Sequence, residues 1–91
     1  MNQTFLTGRV MNVEETEVNQ KLMVAIYEYS PVRIDCIPVV VNENTSLHIG
    51  KVRKGDLVSI LGKIAFERDS LKVVAEKVQY AGWKEVSYER K

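Results

Sequence analysis

The residues best suited to nucleophilic or zinc chemistry in this chain are Cys36 and His48, its only cysteine and its only histidine. Neither has a partner at a diagnostic spacing. A zinc site draws on three or four Cys, His or carboxylate ligands at recognisable intervals. A reactive thiol needs a neighbouring cation or a helix start to hold its thiolate, and the residues around Cys36 (Ile34, Asp35, Ile37, Pro38) supply neither. One thiol cannot form an internal disulfide. Gly55 and Gly62 stand singly in turn and bend contexts, not in a phosphate-cradling loop. The sequence therefore predicts a binding module with no catalytic residues, no cofactor and no metal, and not an enzyme.

What remains is a set of planar rings (four Tyr, two Phe, one Trp) and thirteen Lys and Arg side chains against twelve Asp and Glu. A net charge of +1 demands no polyanionic partner. Residues 1–30 carry two basic and four acidic side chains, and the rest carry eleven and eight. So small an asymmetry permits an anionic ligand without requiring one.

Elements able to position these groups read as strands. Gln3–Val13 is rich in Thr, Val and large apolar residues, and its central Gly8 marks a bend, a bulge or a close backbone approach. Lys21–Tyr29 is apolar on both faces, as in a strand covered on both sides or facing a partner. Arg33–Val41 alternates Ile37, Val39 and Val41 with Cys36, Pro38 and Val40, and Pro38 implies an edge or bulge. In Leu57–Phe66, the residues Val58, Ile60, Gly62, Ile64 and Phe66 share a face. Leu71–Tyr80 is the fifth run. Glu14–Gln20 reads as a polar connection, Lys54-Gly55-Asp56 as a turn, and Glu67-Arg68-Asp69-Ser70 as a short hairpin. Asn44, Thr45 and Ser46 can cap a short helical turn carrying Leu47. Ninety-one residues make one domain, expected over 1–82, with a short polar tail over 83–91 anchored by Trp83 and Tyr88. No signal peptide or membrane span is evident, and a reducing cytoplasm is the expected setting. Five strands with a longer link between the third and fourth fit a five-stranded Greek-key barrel, although a three-stranded meander plus a hairpin fits the same pattern.

Four stretches carry a resemblance. Met1–Val10 resembles the opening of bacterial single-stranded DNA-binding proteins, with a Met-Asn start, an apolar run and Gly8-Arg9 before an aliphatic residue. Ile37–Val41 looks like that family's third strand, Lys54–Ile64 like its Lys-Gly-Asp turn and fourth strand, and Val73–Tyr80 like its closing strand. The pattern is also similar to that of the shortened relatives of the primosomal replication protein B type. The resemblance covers the whole barrel and implies an all-β, five-stranded OB-fold Greek-key barrel that binds single-stranded DNA. RNA is the alternative strand, and a protein–protein adaptor is the alternative function. It further implies a homodimer or homotetramer, and replication or primosome proteins as partners. The family's acidic tail has no counterpart in Tyr88-Glu89-Arg90-Lys91, the link around Ser30-Pro31-Val32 is short, and Cys36 and Asn42 stand where stacking rings would fall.

A single strand needs flat side chains for its bases and cations along its backbone. With the sheet positions that the resemblance implies, Tyr27, Tyr29 and Phe66 are the candidate stacking residues, and Arg9, Arg33, Lys63, Arg68 and Lys72 the candidate phosphate contacts. Tyr27 shares the phase of Met23 and Ala25, so packing competes with stacking there. Phe66 is in phase with Val58, Ile60 and Ile64, which favours the core. Arg68 and Lys72 flank the hairpin that OB-folds often use as one jaw of the cleft, and they are the favoured pair. Lys51, Arg53 and Lys54 fall at the far end and read as solvated surface.

Overall fold

A computed structural model describes residues 2–30, 33–47 and 50–81, except for the side chains of 27–30 and 33. Its strands are β1 (Thr4–Glu15), β2 (Gln20–Ser30), β3 (Arg33–Val41), β4 (Ser46–Leu47), β5 (Leu57–Glu67) and β6 (Ser70–Tyr80). The sheet runs β3-β2-β1-β5-β6-β4, and a parallel β3–β6 pairing at Val39↔Val73 and Val40↔Val74 closes it into a barrel. The meander alternative is thereby excluded. β1 and β2 extend into the stretch read as a polar connection, because Glu14↔Lys21 and Glu15↔Gln20 continue their ladder and leave only Thr16–Asn19 as the turn. Backbone pairing outweighs side-chain polarity there.

β1 belongs to both halves of the barrel. Thr4–Arg9 pair with β5, and Arg9–Glu15 pair with β2, with a register shift between Val10 and Asn12. Gly8 makes the change of partner possible. A Cβ at Gly8 would lie 2.1 Å from the Ala25 carbonyl oxygen and 2.8 Å from Val24 Cγ1. Gly62 on β5 is its counterpart, where a Cβ would lie 2.4 Å from the Val74 carbonyl oxygen. The register shift between β5 and β6 falls between Leu61 and Gly62. Both glycines admit a neighbouring backbone that any side chain would hold off.

The interior is aliphatic. Val10, Leu22, Val24, Val39, Val58, Ile60, Val73 and Val78 are each at most 1% exposed. The end nearer the β3–β5 connection is plugged by Val52, 2% exposed, whose carbonyl accepts a hydrogen bond from buried Gln20 Nε2 at 3.1 Å. The Lys54-Gly55-Asp56 turn forms as expected. Gly55 has φ +96°, the Asp56 amide donates to the Arg53 carbonyl at 3.1 Å, and the Gly55 amide donates to the Val10 carbonyl at 2.7 Å. The helical turn expected to be capped by Asn44, Thr45 and Ser46 and to carry Leu47 is replaced by strand at Ser46–Leu47. Asn42 Oδ1 accepts from the Asn44 amide at 2.9 Å, the Thr45 amide closes on the Asn42 carbonyl at 3.0 Å, and Thr45 Oγ1 donates to the Ala75 carbonyl at 2.7 Å. This side-chain bonding holds a tight turn and delivers Ser46–Leu47 to the edge of β6. Pro38 lies one residue short of the start of the β3–β6 ladder.

Because the Gly8 and Gly62 contacts are with backbone, neither can relax cheaply. Gly8→Ala and Gly62→Ala should each lower stability by about 2–3 kcal/mol, read as a lower urea midpoint at unchanged slope. A midpoint equal to wild type would show that these approaches do not hold the barrel closed.

Candidate nucleic-acid interface

The β5–β6 hairpin is closed by two residues, Arg68 and Asp69, with φ +53° and +66°, between the paired Glu67 and Ser70. Two successive left-handed residues are the geometry of a type I′ turn, whose twist matches that of the flanking strands. Register then assigns the faces. Ala65↔Lys72 and Glu67↔Ser70 point to one side, and Ile64↔Val73 and Phe66↔Leu71 to the other. On the first side, Lys63 pairs with Val74, Val74 with Val40, Val40 with Lys21 and Lys21 with Glu14. This row crosses five strands on the outer surface of the barrel. Beside it, a groove of about 250 Å³ lies between Thr16 and Asn19 of the β1–β2 turn and Glu67 and Lys72 of the hairpin, with Glu14, Lys21 and Val40 also lining it.

The groove is electrically balanced. Lys72 Nζ donates to Glu67 Oε1 at 2.6 Å, with the Lys72 side chain 28% exposed. Glu67 is held below the ordinary glutamate value of 4.5, first by this hydrogen bond and then by the Lys72 charge; partial desolvation opposes the shift and the Lys21 charge adds to it. Lys63 pairs with Glu76 at 3.5 Å on a more exposed part of the same surface. Two of the expected phosphate contacts therefore already hold carboxylates.

Arg9 is exposed on β1, level with Ala25 and Leu57. Arg68 is at the hairpin tip and exposed. By backbone register, Tyr27, Tyr29 and Arg33 lie where β2 and β3 extend past the β1 ladder, with Tyr27 opposite Asp35 and Arg33 opposite Ser30; their side chains lie outside the described residues, as do Trp83 and Tyr88. The reading that placed Phe66 in the core is corrected, because Phe66 is 75% exposed and Ile64 39%. Their phase is the interior one, but past Gly62 β5 runs beyond its pairing with β1, and both side chains stay open. Phe66 is also on the opposite face of the hairpin from Lys72, so the two do not share one surface. Lys51, expected at the far end, instead stands beside the β1–β2 turn that bounds the groove: it pairs with Glu15 at 2.9 Å and lines a neighbouring depression with Thr16 and Asn19.

Several residues of this surface escaped the sequence reading. Lys21 alternates with inward Leu22, so its outward direction was legible, but its neighbours across the strands were not. Glu67 was passed over as a turn residue, although a two-residue turn puts it on the same face as Lys72. Phe5, 65% exposed beside Leu61 and Lys77, is a further open ring.

Five strands closed with β3 and β6 parallel and β1 shared between both halves define the OB-fold. No protein-family model and no curated protein sequence matches the chain. Solved structures do match in fold. The N-terminal domain of the PriB protein from Thermoanaerobacter tencongensis, a dimer, superposes with TM-score 0.69 at 18% identity over 90% of this chain and 98% of that one. A mitochondrial single-stranded DNA-binding protein of S. cerevisiae gives 0.63 at 21% identity over 87% and 92%. A replication protein A heterotrimer bound to single-stranded DNA gives 0.69 at 14% identity, covering 94% of this chain and 62% of that one.

The Glu67–Lys72 pair has a direct signature. In a carbon-13 carboxyl titration, Glu67 should titrate below 4.5 in the native protein and move back towards 4.5 in Lys72→Met. Because the folded value is lowered, the pair's contribution is present at neutral pH and is lost as pH falls through that lowered value. An unchanged Glu67 midpoint in Lys72→Met would contradict the pairing.

Proposed function

We propose that this chain is a sequence-tolerant single-stranded DNA-binding OB domain, not an enzyme, that protects or presents DNA in replication, recombination or replication restart. The observation that carries this reading is the groove on the outer β1–β2–β3 surface, bounded by the β1–β2 turn and the β5–β6 hairpin. Lys21 and Lys72 line it, Val40 supplies an apolar surface, and Arg68 is exposed at the tip of the adjoining hairpin. The likeness in fold to proteins that hold single-stranded DNA supports the same reading. So does the resemblance carried by Met1–Val10 and Lys54–Ile64. A homodimer or homotetramer and contacts with replication or primosome proteins go with this role.

One observation favours the adaptor alternative: the balanced charge of the groove, in which a polyanion finds its cations already paired. The two readings separate on salt. Titration with an unstructured oligo-dT strand at 50 and 200 mM salt should give binding that weakens with salt in proportion to the phosphates neutralised. Arg68→Ala/Lys72→Ala should weaken low-salt affinity about tenfold and reduce the magnitude of the salt slope by about 1.4, since each phosphate neutralised on a single strand accounts for about 0.7. Phe66→Ala should cost about 1–3 kcal/mol if a base stacks there. Absence of oligo-dT binding at 50 mM salt by both wild type and Glu67→Gln would discard the DNA-binding reading for the adaptor, and a matched RNA strand outcompeting DNA would redirect it to RNA.

A further inference from the structure

The Glu67–Lys72 pair stands inside the groove that the DNA-binding reading assigns to a phosphate backbone. The backbone sets the pair up. The two-residue turn and the Ala65↔Lys72 and Glu67↔Ser70 registers place both side chains on the groove face of one hairpin. They meet there at 2.6 Å, with less than a third of the lysine side chain exposed. A lysine so placed has a carboxylate oxygen in the position that a phosphate oxygen would take, since both anions use the same short charge-assisted hydrogen bond. Glu14 lines the same groove and adds a second negative charge.

We propose that Glu67 is an intramolecular competitor for the groove, a built-in anion that an incoming nucleic-acid strand must displace from Lys72. This rests on the DNA-binding reading and adds a residue that limits affinity. A strand gains only the difference between its phosphate and the carboxylate on Lys72, not a whole new ion pair. Once displaced, Glu67 stays beside the strand and repels it. Both effects come from the charge of Glu67 and not from its size, so Glu67→Gln removes them while keeping the side chain's length. The Lys21 charge also acts on Glu67, so the same substitution removes a nearby anion from its surroundings as well.

The test compares wild type, Glu67→Gln, Glu67→Gln/Lys72→Ala and Glu43→Gln in oligo-dT titrations at 50 and 200 mM salt. Glu43 is exposed on the β3–β5 connection, outside the groove lining, so Glu43→Gln makes the same change in net charge elsewhere. Glu67→Gln should bind about three- to fivefold more tightly than wild type at 50 mM salt, the range expected of a partly exposed ion pair. Its salt slope should steepen by about 0.7, one further counterion released on a single strand. The double variant should not show the gain, and Glu43→Gln should stay near wild type. Binding by Glu67→Gln where wild type shows none would also support the competitor. Wild-type binding with Glu67→Gln unchanged, or matched by Glu43→Gln, would overturn the competitor and leave the DNA-binding reading standing. If neither wild type nor Glu67→Gln binds, the DNA-binding reading fails and the competitor with it.

Discussion

The barrel depends on two places where backbone touches backbone without a side chain between. At Gly8, β1 comes so close to β2 that the Ala25 carbonyl oxygen lies where a Cβ would be. At Gly62, β5 meets β6 in the same way against the Val74 carbonyl. Closing five strands around an interior as narrow as this aliphatic one requires sharp coiling, and coiling brings strands together on the inside of each bend. The outer row from Lys63 through Val74, Val40 and Lys21 to Glu14 exists only because the sheet closes on itself, since Val40 and Val74 meet through the parallel β3–β6 pairing. The groove is thus a consequence of closure, not of any loop inserted to make it.

Charge on this surface is arranged locally, which the net value of +1 conceals. Each of the two outward lysines on β5 and β6 that face the row has a carboxylate within reach, Glu76 for Lys63 and Glu67 for Lys72. Exposed pairs of this kind contribute little to stability, about 0–1 kcal/mol each. Their larger effect is on what the surface offers a ligand. A cation held by a neighbour attracts a polyanion less strongly at a distance than a free one, so this face provides weak steering and relies on interactions made after arrival.

Most of the fold was legible in the sequence. Gly8 inside a strand pattern pointed to a bend, a bulge or a close approach, the Lys54-Gly55-Asp56 turn formed with the glycine left-handed, and the alternation of Val58 and Ile60 marked the core, whereas the close approach at Gly62, read as a bend, was not foreseen. The errors share a physical cause. Phase says which side of a strand a residue is on, but not where the strand leaves the body of the protein. Phe66 and Ile64 keep the phase of Ile60 and are nonetheless exposed, on the stretch of β5 that runs beyond its pairing with β1. Asn42 and Thr45 bond to the local backbone and to Ala75, which replaces a helical turn with a tight one. The site was less legible than the fold. Lys72 and Arg68 were singled out from their position beside the hairpin, and of the two it is Lys72 that lines the groove. Lys21 and Glu67 needed the register of strands far apart in sequence, which no single-strand pattern contains.

The two-sidedness of the hairpin constrains how a strand can use it. Its groove side carries the Lys72–Glu67 pair beside Lys21, Glu14 and Val40, with Thr16, Asn19 and Gln20 as the uncharged polar groups of the lining. These suit a sugar-phosphate backbone and offer little that distinguishes one base from another. Its other side carries Phe66 beside Leu71, with Ile64 next along. A strand that used both Lys72 and Phe66 would have to cross from one face to the other. The tip is the open route, because the outer edge of β5 is occupied where Asn2 bonds both the amide and the carbonyl of Ile64, at 3.0 and 2.7 Å. Arg68 stands at that tip. On the proposed DNA-binding reading, Arg68 would matter to such a path for its place as well as its charge, since it stands between the charged side of the hairpin and its aromatic side.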